Sequence, residues 1–287
     1  MTKINKHVSI IGLGNISFSL CESLKNLGCE ISGVTNNSER YKKINKIGVK
    51  VYNKNNILKS IEQADSIIIT APPDDKGCPI LRKYKSNILK SNVSWIGYLS
   101  STSVYGNHNG GIVFEDSKLI PKNNVEVFRC KAEQDALKFG LKSSILIEIF
   151  RLSGIYGYEN NILKQILSNN FRPILKKNHF FNRIHINDIV RVLSLASFSG
   201  KNSGIINLSD DLPISQIDVA KYAYNLLDIK IPKIINYDEI KNELDPALKR
   251  FWENNRRVSN KLLKKKYGSL IYPTYKEGLK NIYNFIN

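Results

Sequence analysis

The stretch His7-Val8-Ser9-Ile10-Ile11-Gly12-Leu13-Gly14-Asn15-Ile16-Ser17 decides how the rest of the chain is read. An apolar run over residues 8–12 reads as a strand, and a helical pattern over 16–26 follows within a few positions. Gly12 permits a tight turn after the strand. Gly14 leaves the backbone bare, so that a pyrophosphate can approach it. Ser17 stands where a third glycine would serve helix–strand packing, a task that a small residue also performs. Phosphates at such a loop rest on unpaired N–H groups and on the positive end of the helix dipole. Gly12, Gly14, Asn15 and Ile16 are therefore the expected dinucleotide contacts; the other reading is a strand–helix turn that holds no ligand.

Outward from this loop the first half alternates strands and helices. Strands are expected at 30–35, 49–52, 66–70, 93–99 and 144–151, with helices near 38–46, 57–63, 78–90 and 125–139. Continuous apolar strands alternating with amphipathic helices predict an α/β chain with a Rossmann-type, doubly wound parallel sheet covered on both faces. After Gly157 the rhythm changes to helices near 161–168, 188–197, 214–227, 259–266 and 275–286, separated by short strands. The expected division is a dinucleotide-binding domain over 1–157 and a smaller C-terminal substrate region over 158–287 packed on it, with some of its elements free to return to the sheet.

The second strand ends in Val34-Thr35-Asn36-Asn37-Ser38-Glu39-Arg40. An NAD site commonly places Asp or Glu here to hold the ribose 2′-hydroxyl, whereas an NADP site uses a nearby Arg. No acid occupies the strand end. Asn36 and Arg40 are the expected contacts, and the cofactor is NAD or NADP with Arg40 favouring NADP, although Arg40 also reads as a solvated helix residue.

Further segments carry a likeness. Thr70-Ala71-Pro72-Pro73-Asp74 follows the fourth strand, and Leu99-Ser100-Ser101-Thr102-Ser103-Val104-Tyr105-Gly106 follows the fifth. Arg151-Leu152-Ser153-Gly154-Ile155-Tyr156-Gly157, Arg183-Ile184-His185-Ile186-Asn187-Asp188, Asn207-Leu208-Ser209-Asp210 and Tyr272-Pro273-Thr274-Tyr275 come later. In this order the chain resembles the extended, atypical short-chain dehydrogenase/reductase superfamily, specifically its NAD-dependent epimerase/dehydratase-like branch. The resemblance implies that Ala71 and Pro72 line the cofactor and that Asp188 caps a helix. It also implies a Ser or Thr, a Tyr and a Lys beside the nicotinamide, the Tyr acting as general acid/base and the Lys lowering its pKa. Ser101 takes the hydroxyl position, polarising substrate, with Thr102 as alternative. Lys131 takes the lysine position, as catalytic lysine and ribose contact, or stands as a surface lysine. The tyrosine position falls on Val127, which cannot exchange a proton.

Tyr105, in the same loop as Ser101, and His108, in a glycine-flanked loop read as free to close on substrate, are the candidate replacement acids. Glu115 and Asp116 either contact substrate or cap the next helix. Arg183 is a candidate for a substrate phosphate, through its planar fork. His185 reads as a core histidine, and the Tyr272–Lys276 pair as coincidence.

The net charge is +18, but only 10 of the 43 basic residues are Arg and the lysines are spread along the chain. Dispersed lysines read as solvated surface, which makes nucleic acid an unlikely partner. Cys21, Cys29, Cys78 and Cys130 form no CxxC pair and no His lies at ligand spacing, so no metal site is expected. No apolar run is long enough to span a bilayer. Reduced thiols and a basic N-terminus that runs straight into the first strand point to the cytoplasm. The expected activity is that of an oxidoreductase or isomerase (epimerase or dehydratase) on a nucleotide-sugar or related small sugar, from a possible homodimer. The competing expectation is an NAD(P)-binding sensor or partner-binding protein without turnover.

Overall fold

A computed structural model describes residues 6–286; the basic lead over residues 1–5 lies outside them. Seven strands form the central sheet: β1 (His7–Ile11), β2 (Glu30–Val34), β3 (Lys50–Tyr52), β4 (Ser66–Ile69), β5 (Trp95–Ser101), β6 (Leu146–Leu152) and β7 (Gly204–Leu208). Their order across the sheet is β7-β6-β5-β4-β1-β2-β3. β1 runs parallel to β2 and to β4, β2 to β3, and β4 to β5. The chain therefore reverses direction across the sheet between β1 and β4, where a doubly wound fold opens its ligand crevice. The parallel α/β sheet expected from the sequence is present, and β7 enlarges it beyond the six strands read there.

Contacts divide the chain at more places than a single cut after Gly157. One unit comprises Met1–Ser101, Lys122–Arg151 and Ile189–Ile206, and the other Thr102–Pro121, Leu152–Asp188 and Asn207–Asn287.

The first unit is built on strands buried along their length. Ile67, Ile68 and Ile69 are fully buried, and Ile67 and Ile69 pack with Ile96, Ile147, Ile149 and, from the helix Asn124–Leu141, Ala132, Ala136 and Phe139. Each such aliphatic contributes roughly 1.5–3 kcal/mol relative to exposure. The polar residues of β1 and β2 are satisfied with help from the helix Ile57–Glu62: its Ser60 Oγ lies 2.7 Å from both Ser9 Oγ and Ser32 Oγ, and His7 Nε2 lies 2.9 Å from Ser32 Oγ. Asn123 caps the helix Asn124–Leu141 by accepting from the Glu126 amide. Arg151 on β6 pairs with Glu133 of that helix at 2.7 Å, both side chains 3% exposed. Breaking a buried ion pair of this kind costs far more than the intact pair adds to stability.

In the second unit, Tyr156, Leu163, Ile166, Ile217, Tyr275 and Leu279 form one core, while Ile174, Tyr237, Ile240 and Trp252 form another. The short strand Arg183–His185 runs parallel to Gly154–Tyr156. No helix among the described residues is long and apolar enough to cross a membrane.

Candidate active site

In the first unit the loop after β1 is held between its neighbours. Gly12 and Leu13 donate their amides to the Val34 carbonyl at 3.0 and 3.1 Å, and Thr70 donates its hydroxyl to the Gly12 carbonyl. Gly12 has φ +100°, and a Cβ there would stand 2.7 Å from the Ala71 amide nitrogen. Only glycine fits this turn. Gly14 is the opposite case, because a Cβ on it would meet nothing nearer than the Gly12 carbonyl oxygen at 4.0 Å. The space above Gly14 is open.

Ser17 does more than occupy a small position. Its buried Oγ accepts from the Gly14 amide at 2.7 Å, and its own amide donates to the Gly14 carbonyl at 3.2 Å, which locks the turn into the helix Ser17–Asn26. The next two amides, of Asn15 and Ile16, have no hydrogen-bond acceptor among the described residues. Unpaired N–H groups at a helix N-terminus, beside an open glycine, suit the pyrophosphate of a dinucleotide.

Asn37 N-caps the helix Ser38–Asn45 by accepting from the Arg40 amide, and so fixes where Arg40 starts. The Arg40 side chain then returns over the glycine loop. Nη1 donates to the Leu13 carbonyl at 3.0 Å and Nη2 to Asn15 Oδ1 at 2.9 Å. Asn36 accepts from the Lys54 amide at 3.2 Å, Ala71 is half-buried and Pro72 is exposed, all at the carboxyl ends of β2 and β4.

Ser101 ends β5, half-buried. Val127 lies on the helix Asn124–Leu141, 44% exposed, where the family resemblance places a tyrosine. Lys131 is exposed one turn further on. Its ammonium donates to the Asp75 carbonyl at 3.0 Å.

In the second unit two expectations need correction. Tyr105, read as a candidate acid, is fully buried, and its hydroxyl donates to Asn207 Oδ1 at 2.6 Å. A phenol consumed in the core cannot exchange protons with a ligand. The loop of His108 is not free to close. His108 and Gly110 donate their amides to the Asn255 carbonyl, Asn255 donates its amide to Asn107 Oδ1, and Arg257 Nε reaches the Gly110 carbonyl at 2.7 Å. His108 Nε2 itself lies 3.1 Å from the Lys118 carbonyl, so that ring nitrogen carries the proton. Thr102, the alternative to Ser101, is 4% exposed.

Glu115 accepts from the Asn207 amide at 3.0 Å, and the α-helix that follows, Asn124–Leu141, is capped by Asn123. Asp188, read as a helix cap, accepts from the Ile271 and Tyr272 amides at 2.6 and 3.1 Å. His185 is buried among the Tyr156, Tyr158 and Tyr272 rings, and burial lowers its pKa to about 4, leaving it neutral. Arg183 donates from Nη1 to the Phe181 carbonyl at 3.3 Å.

One group went unread. The Asp210 amide donates to the Arg183 carbonyl at 2.7 Å, and Asp210 is 1% exposed. Desolvation raises its pKa to about 7, against the opposing charge of Arg183. Its Oδ2 has no partner among the described residues, and neither do the buried hydroxyls of Ser153, Tyr156 and Ser209. The four cysteines are free and buried; burial raises Cys21 to about 12 and Cys78 and Cys130 to about 11, so none of these three is a thiolate at neutral pH. Among the described residues no group of three metal-ligating side chains occurs.

No protein-family model matches the sequence, and no curated protein matches it. Solved structures do. A functionally unknown conserved protein from Silicibacter pomeroyi is 29% identical with a TM-score of 0.90, over 98% of this chain and 99% of that one. UDP-glucuronic acid 4-epimerase from Bacillus cereus, in complex with NAD, is 16% identical with a TM-score of 0.76, over 97% and 96%. A human epimerase family protein with NADPH is 14% identical with a TM-score of 0.76, over 96% and 99%. The chain shares the fold of these structures and of a putative NAD-dependent epimerase/dehydratase from Methylobacillus flagellatus, which is 18% identical with a TM-score of 0.71 over 98% of each chain.

Proposed function

We propose that this protein binds NADP(H) and uses it as an oxidoreductase, epimerase or dehydratase of the extended short-chain dehydrogenase/reductase type, on a nucleotide-linked or related small sugar. The observation that carries the cofactor is the loop itself: an open Gly14, two unpaired amides at a helix N-terminus and the Arg40 guanidinium laid over them. Arg40 supports NADP over NAD, because a fork-shaped cation beside the second strand suits a 2′-phosphate. The nicotinamide supplies the redox chemistry when bound. Ser101 at the end of β5 is the group proposed to polarise a substrate hydroxyl or carbonyl, with Arg183 proposed to hold a substrate phosphate. The sugar class rests on structural neighbours that include an enzyme in complex with UDP-glucose and NAD. A homodimer is proposed on the family resemblance, and a cytoplasmic location on the four free, buried cysteines.

Val127 favours a second reading, an NADP(H)-binding sensor or partner-binding protein without turnover, since neither it nor the buried Tyr105 can serve as acid/base.

Calorimetric titration with NAD⁺, NADH, NADP⁺ and NADPH, beside a Gly14→Asp variant, tests the shared premise. Micromolar binding of the phosphorylated pair, lost in the variant, supports it. Absence of binding to all four sinks both readings. The two are then separated by hydride transfer with UDP-sugars, which the sensor reading excludes.

A further inference from the structure

We propose that the first unit carries a separate site for a short condensed-phosphate chain, in a groove between the helices Pro79–Leu89 and Asn124–Leu141. The groove encloses about 240 Å³, and Lys76, Arg82, Lys85, Lys138 and Lys142 line it with a single carboxylate, Asp135. Its floor is apolar, from Leu81 and Phe139, and none of these residues belongs to the glycine loop.

The five cations come from three places: the 74–77 turn, the first helix and the end of the second. Arg82 and Lys85 are three residues apart on one helix, which puts like charges on one face, an arrangement that costs helix stability. Lys138 lies in the last turn of the other helix, and Lys142 is its C-cap residue. The helix dipole accounts for Lys138 and Lys142, near the C-terminal end of their helix, but not for Lys76 or Lys85. Arg82 is already matched, donating to both Asp74 oxygens at 2.9 and 2.5 Å. Asp135 accepts from the Cys78 amide at 3.1 Å and remains one carboxylate against the five cations of the lining. Four lining lysines are left, Lys76, Lys85, Lys138 and Lys142, and no carboxylate bonds to their ammonium groups among the described residues.

Several charges spaced along a short chain answer that arrangement; a single carboxylate would reach only one wall. The groove has room for a short chain of linked phosphate groups. The shared chemistry is the condensed phosphate, whether inorganic or the tail of a nucleotide.

The test is calorimetric titration of the full chain with inorganic tripolyphosphate and, separately, ATP, comparing Lys85→Glu/Lys138→Glu with Lys221→Glu/Lys230→Glu. The control pair changes net charge equally and lies outside the groove. The expected result is one tripolyphosphate per chain, weakened at least about tenfold by the groove pair and less than about twofold by the control. A milder Lys85→Gln/Lys138→Gln variant answers the same question if the double glutamate does not fold. ATP bound with the same sensitivity assigns a nucleotide tail; tripolyphosphate alone assigns an inorganic chain. Binding should persist in Gly14→Asp, which separates this site from the dinucleotide loop. Equal loss in both charge-matched variants, or no saturable stoichiometry, overturns the proposal in favour of diffuse attraction to a basic surface.

Discussion

Arg40 donates to Asn15 Oδ1 at 2.9 Å, so a cation from the helix after β2 sits on the loop after β1. That contact bears on cofactor choice, because a 2′-phosphate offers the same guanidinium a stronger, charge-assisted partner. Arg40→Gln is expected to weaken NADPH binding by about 10–100-fold while NADH binding moves by less than about threefold. Fluorescence titration of the two reduced cofactors measures the split. Equal weakening of both would mean that Arg40 only braces the loop.

Much of the first unit was legible because its signals are local. A strand ending in Gly12, a bare Gly14 and a small residue at 17 lie within eleven positions, and apolar strands announced the parallel sheet. What stayed hidden depends on distant partners. The loop of His108 looks mobile from its glycines, yet Arg257, 147 positions away from Gly110, fastens it. Tyr105 reads as a reactive hydroxyl until Asn207, 102 positions away, consumes it. β7 escaped notice because its short Gly204–Leu208 run joins the sheet only after a long excursion. Asp210 gave no signal, since its raised pKa arises first from burial and then from Asp211 and the distant Glu277.

Removal of the Tyr105 hydroxyl tests its placement in the core. Tyr105→Phe leaves Asn207 Oδ1 without its donor, and a buried polar group left unpaired costs about 1–3 kcal/mol. Urea denaturation should show a loss of that size, with NADPH affinity unchanged. An unchanged midpoint joined to a loss of turnover would restore Tyr105 as a reacting group.

The Arg151–Glu133 pair should behave asymmetrically. Arg151→Met strands a carboxylate that is 3% exposed, with an expected cost of about 3–5 kcal/mol. Adding Glu133→Gln removes the stranded charge and should recover a large part of that loss. A double variant no more stable than Arg151→Met, by urea denaturation, would show that packing of the arginine stem carries the effect.

Asp210 makes stability depend on pH in a direction unusual for a carboxylate. Its folded pKa of about 7 lies above the ordinary value of 3.8, with desolvation outweighing the charge of Arg183. The folded state therefore holds this proton more tightly than the unfolded chain does. The resulting stabilisation is complete below about pH 4, is lost as pH rises to about 7, and stays lost above that. A shift of roughly three units corresponds to at most about 4 kcal/mol. His179 and His185, both lowered to about 4 by burial, act in the opposite sense, costing stability as pH falls from 6.5. Comparison with Asp210→Asn cancels them, because both chains retain the histidines. Urea midpoints taken from pH 4 to 8 should show the wild type losing ground to Asp210→Asn across the window and running parallel to it above pH 7. A constant difference between the two would mean that Asp210 is ionised throughout, held by Arg183 more strongly than burial opposes.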